Sequence, residues 1–110
     1  MYKIEAVVRN SVFYEVKKAL VEVGIVTFSA FQVQITGIHH SHKGLRTNSH
    51  NYIPKSKIEL LCTDEDKDKV IEIIQKSATT GEKGDGIVFC YKIENLVKIR
   101  DGKNDREALI

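Results

Sequence analysis

The sequence predicts an α+β fold, a ferredoxin-like βαββαβ sandwich with both helices on one face of a four-stranded sheet. Segments with alternating apolar residues and segments with helical spacing follow one another in the order strand, helix, strand, strand, helix, strand. The stretch 37–54 has no periodicity and separates the two halves as a long loop between strands 2 and 3. The 110 residues have the length of a single domain, 1–110.

The first half of the chain begins with a strand, because residues 2–9 alternate in polarity. Asn10 and Ser11 supply side chains that can cap a following helix, and Gly24 ends it. The apolar residues of this helix recur on one face: Val12, Val16, Ala19, Leu20 and Val23. Residues 27–35 then alternate again and predict the second strand.

The second half repeats this order. Residues 55–62 predict the third strand, with an apolar face formed by Ile58, Leu60 and Cys62. Thr63 offers a capping hydroxyl for the second helix, and carboxylates follow at its positive end: Asp64, Glu65 and Asp66. A strand at 87–92 and a short last strand at 96–100 complete the expected sheet.

A glycine-rich loop connects the second helix to the strand at 87–92. It contains Gly81, Gly84 and Gly86. Because glycine has no Cβ and tolerates positive φ, the backbone N–H groups of such a loop can converge on an anion such as phosphate. The alternative is a tight turn before a strand, which the loop alone favours because it matches neither standard phosphate motif.

Composition excludes several classes of protein. The 17 basic and 15 acidic residues are interspersed and provide no concentrated field for nucleic acid or an anionic membrane. No apolar run reaches the roughly 18 residues needed to span a bilayer, and Cys62 and Cys90 suit the reduced core of a cytoplasmic protein. The acidic cluster lies at a helix start and the cysteines have no neighbouring histidine, so nothing predicts an enzyme.

The segment TTGEKGDGIVF resembles the TGxxGDGxxF segment of the PII nitrogen-regulatory proteins. Four further segments are similar to that family in the right order: 1–9, 15–25, 54–59 and 97–102. The resemblance implies a homotrimer that binds ATP or ADP between subunits and regulates a target protein through loop 37–54. It suggests an ammonium channel, a nitrogenase component or an enzyme of nitrogen metabolism as the target.

The resemblance also implies a set of nucleotide-binding residues. Gly37 matches the glycine at the base of the loop, Glu59 matches a residue near the adenine, and Lys98 and Arg100 match two basic phosphate contacts. The whole expected set is Val7, Thr27, Ser29, Gly37, Ile38, Glu59, Leu61, Gly84, Asp85, Gly86, Ile87, Phe89, Lys98 and Arg100.

Several positions depart from the family pattern. Ile87 stands where a phosphate-facing lysine is usual, and Thr27 stands where many members have glycine. Lys55 matches the lysine that pairs with 2-oxoglutarate, but His39 replaces the glutamine that helps to bind Mg²⁺. Imidazole is a poor Mg²⁺ ligand, which puts the binding of Mg²⁺ and 2-oxoglutarate in question. The loop has no tyrosine at the family's modification position, so we expect no uridylylation.

All four histidines fall within the long loop. His39, His42 and His50 could hold Zn²⁺, Cu²⁺ or Ni²⁺. This gives an alternative function: a divergent trimer with lost or altered nucleotide and 2-oxoglutarate sensing that binds metal or another small ligand through its histidine-rich loop. A solvated loop that happens to be rich in histidine explains the same residues, since no complete ligand-spacing motif is met.

Overall fold

The computed structural model describes residues 1–36, 38–40, 46–48 and 52–109, with the backbone alone described for 38–40 and 46–48. Its strands are β1 (Tyr2–Val8), β2 (Ser29–Ile35), β3 (Ile38–His40), β4 (Arg46–Asn48), β5 (Ile53–Cys62) and β6 (Gly86–Lys92). The α-helices are α1 (Phe13–Glu22) and α2 (Lys67–Ala78), and short 3-10 helices cover Asn10–Val12 and Asp105–Leu109.

Four strands form one antiparallel sheet in the order β2-β5-β1-β6. This order, with α1 and α2 after β1 and β5, confirms the predicted ferredoxin-like fold. Within the segment predicted as a long loop, β3 and β4 pair as a separate antiparallel hairpin. The third strand of the prediction, β5, begins at Ile53, two residues earlier than expected.

The hydrophobic core lies between the two helices and one face of the central strands. Alternate residues of β1 and β5 supply the sheet side of this core: Ile4, Ala6, Val8, Ile58, Leu60 and Cys62. The helices supply Val16, Leu20, Val70, Ile74 and Ala78. Each fully buried aliphatic side chain stabilises the fold by about 1.5–3 kcal/mol. Because these residues recur at every second position in the strands and with helical spacing in the helices, the sequence specifies which face of the sheet the helices cover.

The opposite face of the sheet carries no covering element among the described residues. Its central strands carry the charged residues Lys3, Glu5, Lys57 and Glu59 together with Val7 and Leu61, while its outer strands present large apolar side chains to solvent. Phe31 is 43% exposed, Ile87 63% and Phe89 42%. A face of this kind combines buried charge with exposed aromatic area, which is typical of a surface that packs against another protein.

Neither helix begins with the predicted side-chain cap. α2 starts at Lys67 after a turn, its cap position is Asp66, and no side-chain hydrogen bond is made there. The hydroxyl of Thr63 is buried and has no hydrogen-bond partner in the described part of the chain. Asn10 accepts a hydrogen bond from the hydroxyl of Ser56 at 2.6 Å, so its side chain joins β5 instead of capping α1.

The predicted last strand at 96–100 was wrong. Only an isolated bridge between Val97 and Asn104 is present within residues 52–109 after β6. The N–H of Lys98 donates to the carbonyl oxygen of Lys103 at 2.8 Å, and Gly102 at φ +74° closes the turn. The chain therefore folds back on itself instead of extending the sheet. No described helix is long and apolar enough to cross a membrane.

Candidate functional site

The glycine loop is organised around the carboxylate of Asp85. This carboxylate accepts hydrogen bonds from the N–H of Thr80 at 2.7 Å and the N–H of Gly81 at 3.0 Å. It also accepts from the hydroxyl of Thr80 and from Nε of Arg9, the latter at 3.0 Å. These donors, those of Thr80 first, hold the pKa of Asp85 well below its usual range. Two N–H groups of the loop thus converge on an anion that belongs to the chain itself.

Gly86 is required by the contact between β6 and β1. Its φ is +104°, and a Cβ there would lie 1.8 Å from the carbonyl oxygen of Val7. Gly84, at φ +96°, meets only the guanidinium of Arg9, at 3.1 Å from an added Cβ. Glycine is therefore required at position 86 by close packing and favoured at position 84 by the backbone conformation.

Two cations lie against the outer edge of this loop. Nζ of Lys55 donates to the carbonyl oxygen of Gly84 at 2.6 Å, and the guanidinium of Arg9 donates to the carbonyl oxygen of Lys83. Burial, followed by the charge of Arg9, lowers the pKa of Lys55. Arg9 was not among the predicted site residues. Its position as the basic residue directly after the first strand, opposite the start of β6, is the signal that could have identified it.

A separate cavity of about 840 Å³ lies at the other end of the sheet. It is lined by four of the predicted nucleotide residues, Thr27, Ser29, Glu59 and Leu61, together with Lys3 and residues of the C-terminal 3-10 helix. The carboxylate of Glu59 stands between two ammonium groups, with Lys3 at 3.4 Å and Lys57 at 3.6 Å. This end of the sheet therefore offers a large cavity with an apolar and polar lining, in which Glu59 is a carboxylate acceptor paired with two cations.

Glu5 is the most buried charged residue of the open face, with 8% exposure. Its carboxylate pairs with Nζ of Lys57 at 2.9 Å and accepts a hydrogen bond from the hydroxyl of Tyr91 at 2.7 Å. These two partners, Lys57 first, lower the pKa of Glu5 to about 2. The sequence reading missed Glu5 and Tyr91, because the pairing of β1 with both β5 and β6 is a long-range choice.

Among the described residues, the predicted nucleotide-binding residues fall into two separate sets within one copy of the chain, one at the glycine loop and one at the 840 Å³ cavity. On β1, Gly86 pairs with Val8 and Leu61 pairs with Lys3. These two partners are five positions apart, so the glycine-loop residues and the cavity residues are separated by about 17 Å at about 3.4 Å per residue. The cavity beside Gly86, lined also by Asp85 and Ile87, has a volume of only about 140 Å³.

The remaining described residues lie at either end of the sheet or, for Phe89, in its central row. Val7 pairs with Ile87 near the glycine loop, whereas Phe89 lies in the central row with Glu5. Lys98 and Arg100 follow the far end of β6, where Arg100 lies 3.8 Å from Asp101.

Some predicted residues lie outside the described side chains. Gly37, His42 and His50 fall outside the described residues, and for Ile38 and His39 only the strand backbone of β3 is described. Among the residues that are described, no group of three or more potential metal ligands is present. Because the side chains of His39, His42 and His50 lie outside the described ones, the metal-site alternative stays a prediction.

These features define a ferredoxin-like α+β protein whose glycine loop and carboxylate-lined cavity lie at opposite ends of one open sheet face. The family model "Nitrogen regulatory protein P-II" matches residues 1–103. The chain belongs to this family of nitrogen regulatory proteins, as the resemblance predicted.

Individual relatives match over nearly the whole chain. A P-II protein of Pasteurella multocida is 34% identical over 112 residues, covering 99% of this chain and 100% of the relative. A P-II 2 protein of Methanothermobacter thermautotrophicus is 37% identical over 113 residues, covering 99% and 97%. The crystal structure of Arabidopsis thaliana PII bound to citrate aligns with a TM-score of 0.80 at 27% identity, covering 97% of this chain and 87% of that one.

Proposed function

We propose that this protein is a cytoplasmic homotrimeric signal regulator, not an enzyme, that binds ATP or ADP between subunits. Ligand binding changes the posture of loop 37–54, which engages or releases a target protein of nitrogen metabolism. Membership of a family of nitrogen regulatory proteins supports the regulatory role. The observation that carries the nucleotide proposal is the separation of the two predicted half-sites within one copy of the chain.

One ligand can contact both half-sites only if two copies contribute. The first copy would supply the glycine end, with Gly84, Asp85, Gly86 and Ile87 beside Val7 and the loop base at Gly37 and Ile38. The second would supply the cavity end, with Thr27, Ser29, Glu59, Leu61, Lys98 and Arg100, and Phe89 lies in the row between the two ends. In such a cleft the base of the nucleotide would lie at the cavity end and its terminal phosphate at the glycine end.

The open sheet face is a suitable surface for the association. Its exposed apolar residues, among them Phe31, Ile87 and Phe89, would be removed from water in an assembly. Burial of apolar area contributes about 25 cal/mol per Å², so a face of this kind favours association of a small domain. The open face lies between the glycine end and the cavity end of each copy. Packing of two copies through this face would therefore bring the glycine end of one copy next to the cavity end of the other.

Lys55 and His39 are the residues that would bind 2-oxoglutarate and Mg²⁺ beside the nucleotide. Lys55 would pair with a carboxylate ligand such as 2-oxoglutarate, but in the present arrangement its Nζ donates to Gly84. His39 offers an imidazole where Mg²⁺ requires an oxygen donor, so this donor set does not fit Mg²⁺ and we assign it no role. The regulation we propose therefore depends on nucleotide alone, acting as a population shift between two loop states.

Calorimetry combined with sedimentation analysis tests the proposal. We expect a trimer that binds ATP and ADP with micromolar affinity at one site per subunit, and a large loss of affinity in Arg100→Ala. Lys76→Ala is the matched control, since Lys76 is an exposed cation of α2 paired with Glu72. A monomer that binds nucleotide at full affinity would contradict the two-copy site, and a trimer that binds neither nucleotide would contradict the sensing role.

A further inference from the structure

A continuous line of polar contacts crosses the open sheet face from β6 to β5. The hydroxyl of Tyr91 donates to Oε2 of Glu5 at 2.7 Å, and Oε1 of Glu5 pairs with Lys57 at 2.9 Å. Nζ of Lys57 then lies 3.6 Å from Oε1 of Glu59. Four side chains on three strands are therefore joined, and the line ends at Glu59, which lines the 840 Å³ cavity together with Thr27, Ser29 and a second carboxylate residue, Asp66.

The geometry of this line is constrained at Glu5. With 8% of its surface exposed, Glu5 must keep its charge partnered, because a buried unpaired carboxylate is strongly destabilising. Its two oxygens serve two different partners, so the carboxylate cannot rotate without losing one of them. Tyr91 thereby directs the other oxygen of Glu5 toward Lys57, and Lys57 is held at a fixed place beside Glu59.

Glu59 is in turn held from two sides. Both ammonium groups, those of Lys3 and Lys57, make their ion pairs with Oε1. The side chain remains 24% exposed. An ionised carboxylate only accepts hydrogen bonds, so a ligand that meets Glu59 must present an N–H or O–H group to it.

We propose that Tyr91 and Glu5 are positioning residues that orient Glu59, through Lys57, toward the exocyclic amino group of an adenine base in the cavity. This inference rests on the proposed nucleotide function and adds its specificity. Adenine donates an N–H to the carboxylate at this position, whereas hypoxanthine presents an oxygen there. The polar line thus favours adenine over hypoxanthine nucleotides, and the preference depends on groups that do not touch the ligand.

Calorimetric affinities for ATP and inosine triphosphate test the proposal. For Tyr91→Phe, which removes one oxygen and keeps the ring, we expect a three- to tenfold weaker affinity for ATP and little change for inosine triphosphate. The ratio of the two affinities therefore falls. Tyr14→Phe is the matched control, since Tyr14 is 68% exposed on α1, and its ratio should equal that of the unmodified protein. Glu5→Gln provides a second variant with the same expected fall in the ratio.

Different results would contradict the nucleotide-binding function and the positioning role of Tyr91 and Glu5. If the unmodified protein binds neither nucleotide, the proposed function is wrong. If it binds ATP in preference to inosine triphosphate and both variants retain that ratio, the function stands and the positioning role of Tyr91 and Glu5 is overturned. A purely structural role is recognised by an equal loss of affinity for both nucleotides, which also overturns the proposal.

Discussion

Gly86 lies directly against the backbone of Val7, so that a Cβ at position 86 would approach the carbonyl oxygen of Val7 to 1.8 Å. Strand β6 can therefore pair with β1 at this point only with glycine. We expect Gly86→Ala to lower the free energy of unfolding by more than about 2 kcal/mol, as backbone strain and a displaced strand pair both contribute. Urea unfolding measures this loss.

Gly81 provides the matched control for this substitution. It also has a positive φ, +82°, but an added Cβ would meet no atom within 4 Å. Gly81→Ala should therefore cost only the conformational term, about 1 kcal/mol. Equal losses for the two variants would show that the close approach at Gly86 relaxes without cost.

Asp85 should give the glycine loop a stability that depends on pH. The pKa of Asp85 is depressed in the folded protein by its bonds to Thr80 and Arg9. A depressed pKa means that the stabilisation is complete above the unfolded value, about 3.9, and is lost as the pH falls below it. We expect Asp85→Asn to melt at a lower temperature than the unmodified protein at pH 7, with a difference that narrows below about pH 4.

Hydrogen exchange locates this effect. The amide protons of Thr80 and Gly81 donate to Asp85 and should exchange faster in Asp85→Asn. Glu82→Gln makes the same charge change in the same loop and is expected to leave both protons protected. Unchanged exchange in Asp85→Asn would mean that the carboxylate does not hold the loop.

Glu5 makes a second pH-dependent contribution, at the centre of the open face. Its folded pKa is about 2, below the ordinary value of about 4.3. Its stabilisation is therefore present above about pH 4 and disappears as the pH falls toward 2. Glu5→Gln should be clearly less stable than the unmodified protein at pH 7, and denaturant titrations at pH 7, 4 and 2.5 should show the two converging.

Glu72→Gln is the comparison for Glu5→Gln. Glu72 pairs with Lys76 one helical turn away, but both side chains are more than half exposed. Exposed pairs contribute little, so this variant should differ only slightly from the unmodified protein at every pH. A loss as large as that of Glu5→Gln would remove burial as the reason for the strength of the Glu5 pair.

The core could be predicted from the sequence because it depends on local periodicity. Ile58, Leu60 and Cys62 alternate, and helical spacing places Val16 and Leu20 on the buried face of the first helix. Each of these assignments needs only the period of its own segment.

The polar contacts could not be predicted in the same way. Asn10 bonds to Ser56 instead of capping a helix, and Tyr91 bonds to Glu5, which is 86 positions away. A polar side chain has several partners of similar energy, and the tertiary register chooses among them. The separation of the half-sites has the same origin, since it follows from the pairing of β1 with both β5 and β6.

Ile87 offers the sharpest test of where phosphate binds. Its side chain is 63% exposed on the open face and lies outside the core, so Ile87→Lys should leave the fold of each copy intact, and sedimentation analysis checks that the trimer is retained. A lysine here adds one charge-assisted contact, typically about 1.5–3 kcal/mol, to any phosphate beside the glycine loop. Affinity for ATP should therefore rise about tenfold or more, while affinity for adenosine, which has no phosphate, should not change.

Val21→Lys adds the same charge on the exposed side of α1 and should leave both affinities unaltered. A gain for adenosine as well, or the same gain in Val21→Lys, would mean that the lysine acts through general attraction or packing. An unchanged affinity for ATP would mean that the phosphates lie away from Gly86 and that the glycine loop serves the strand pairing alone.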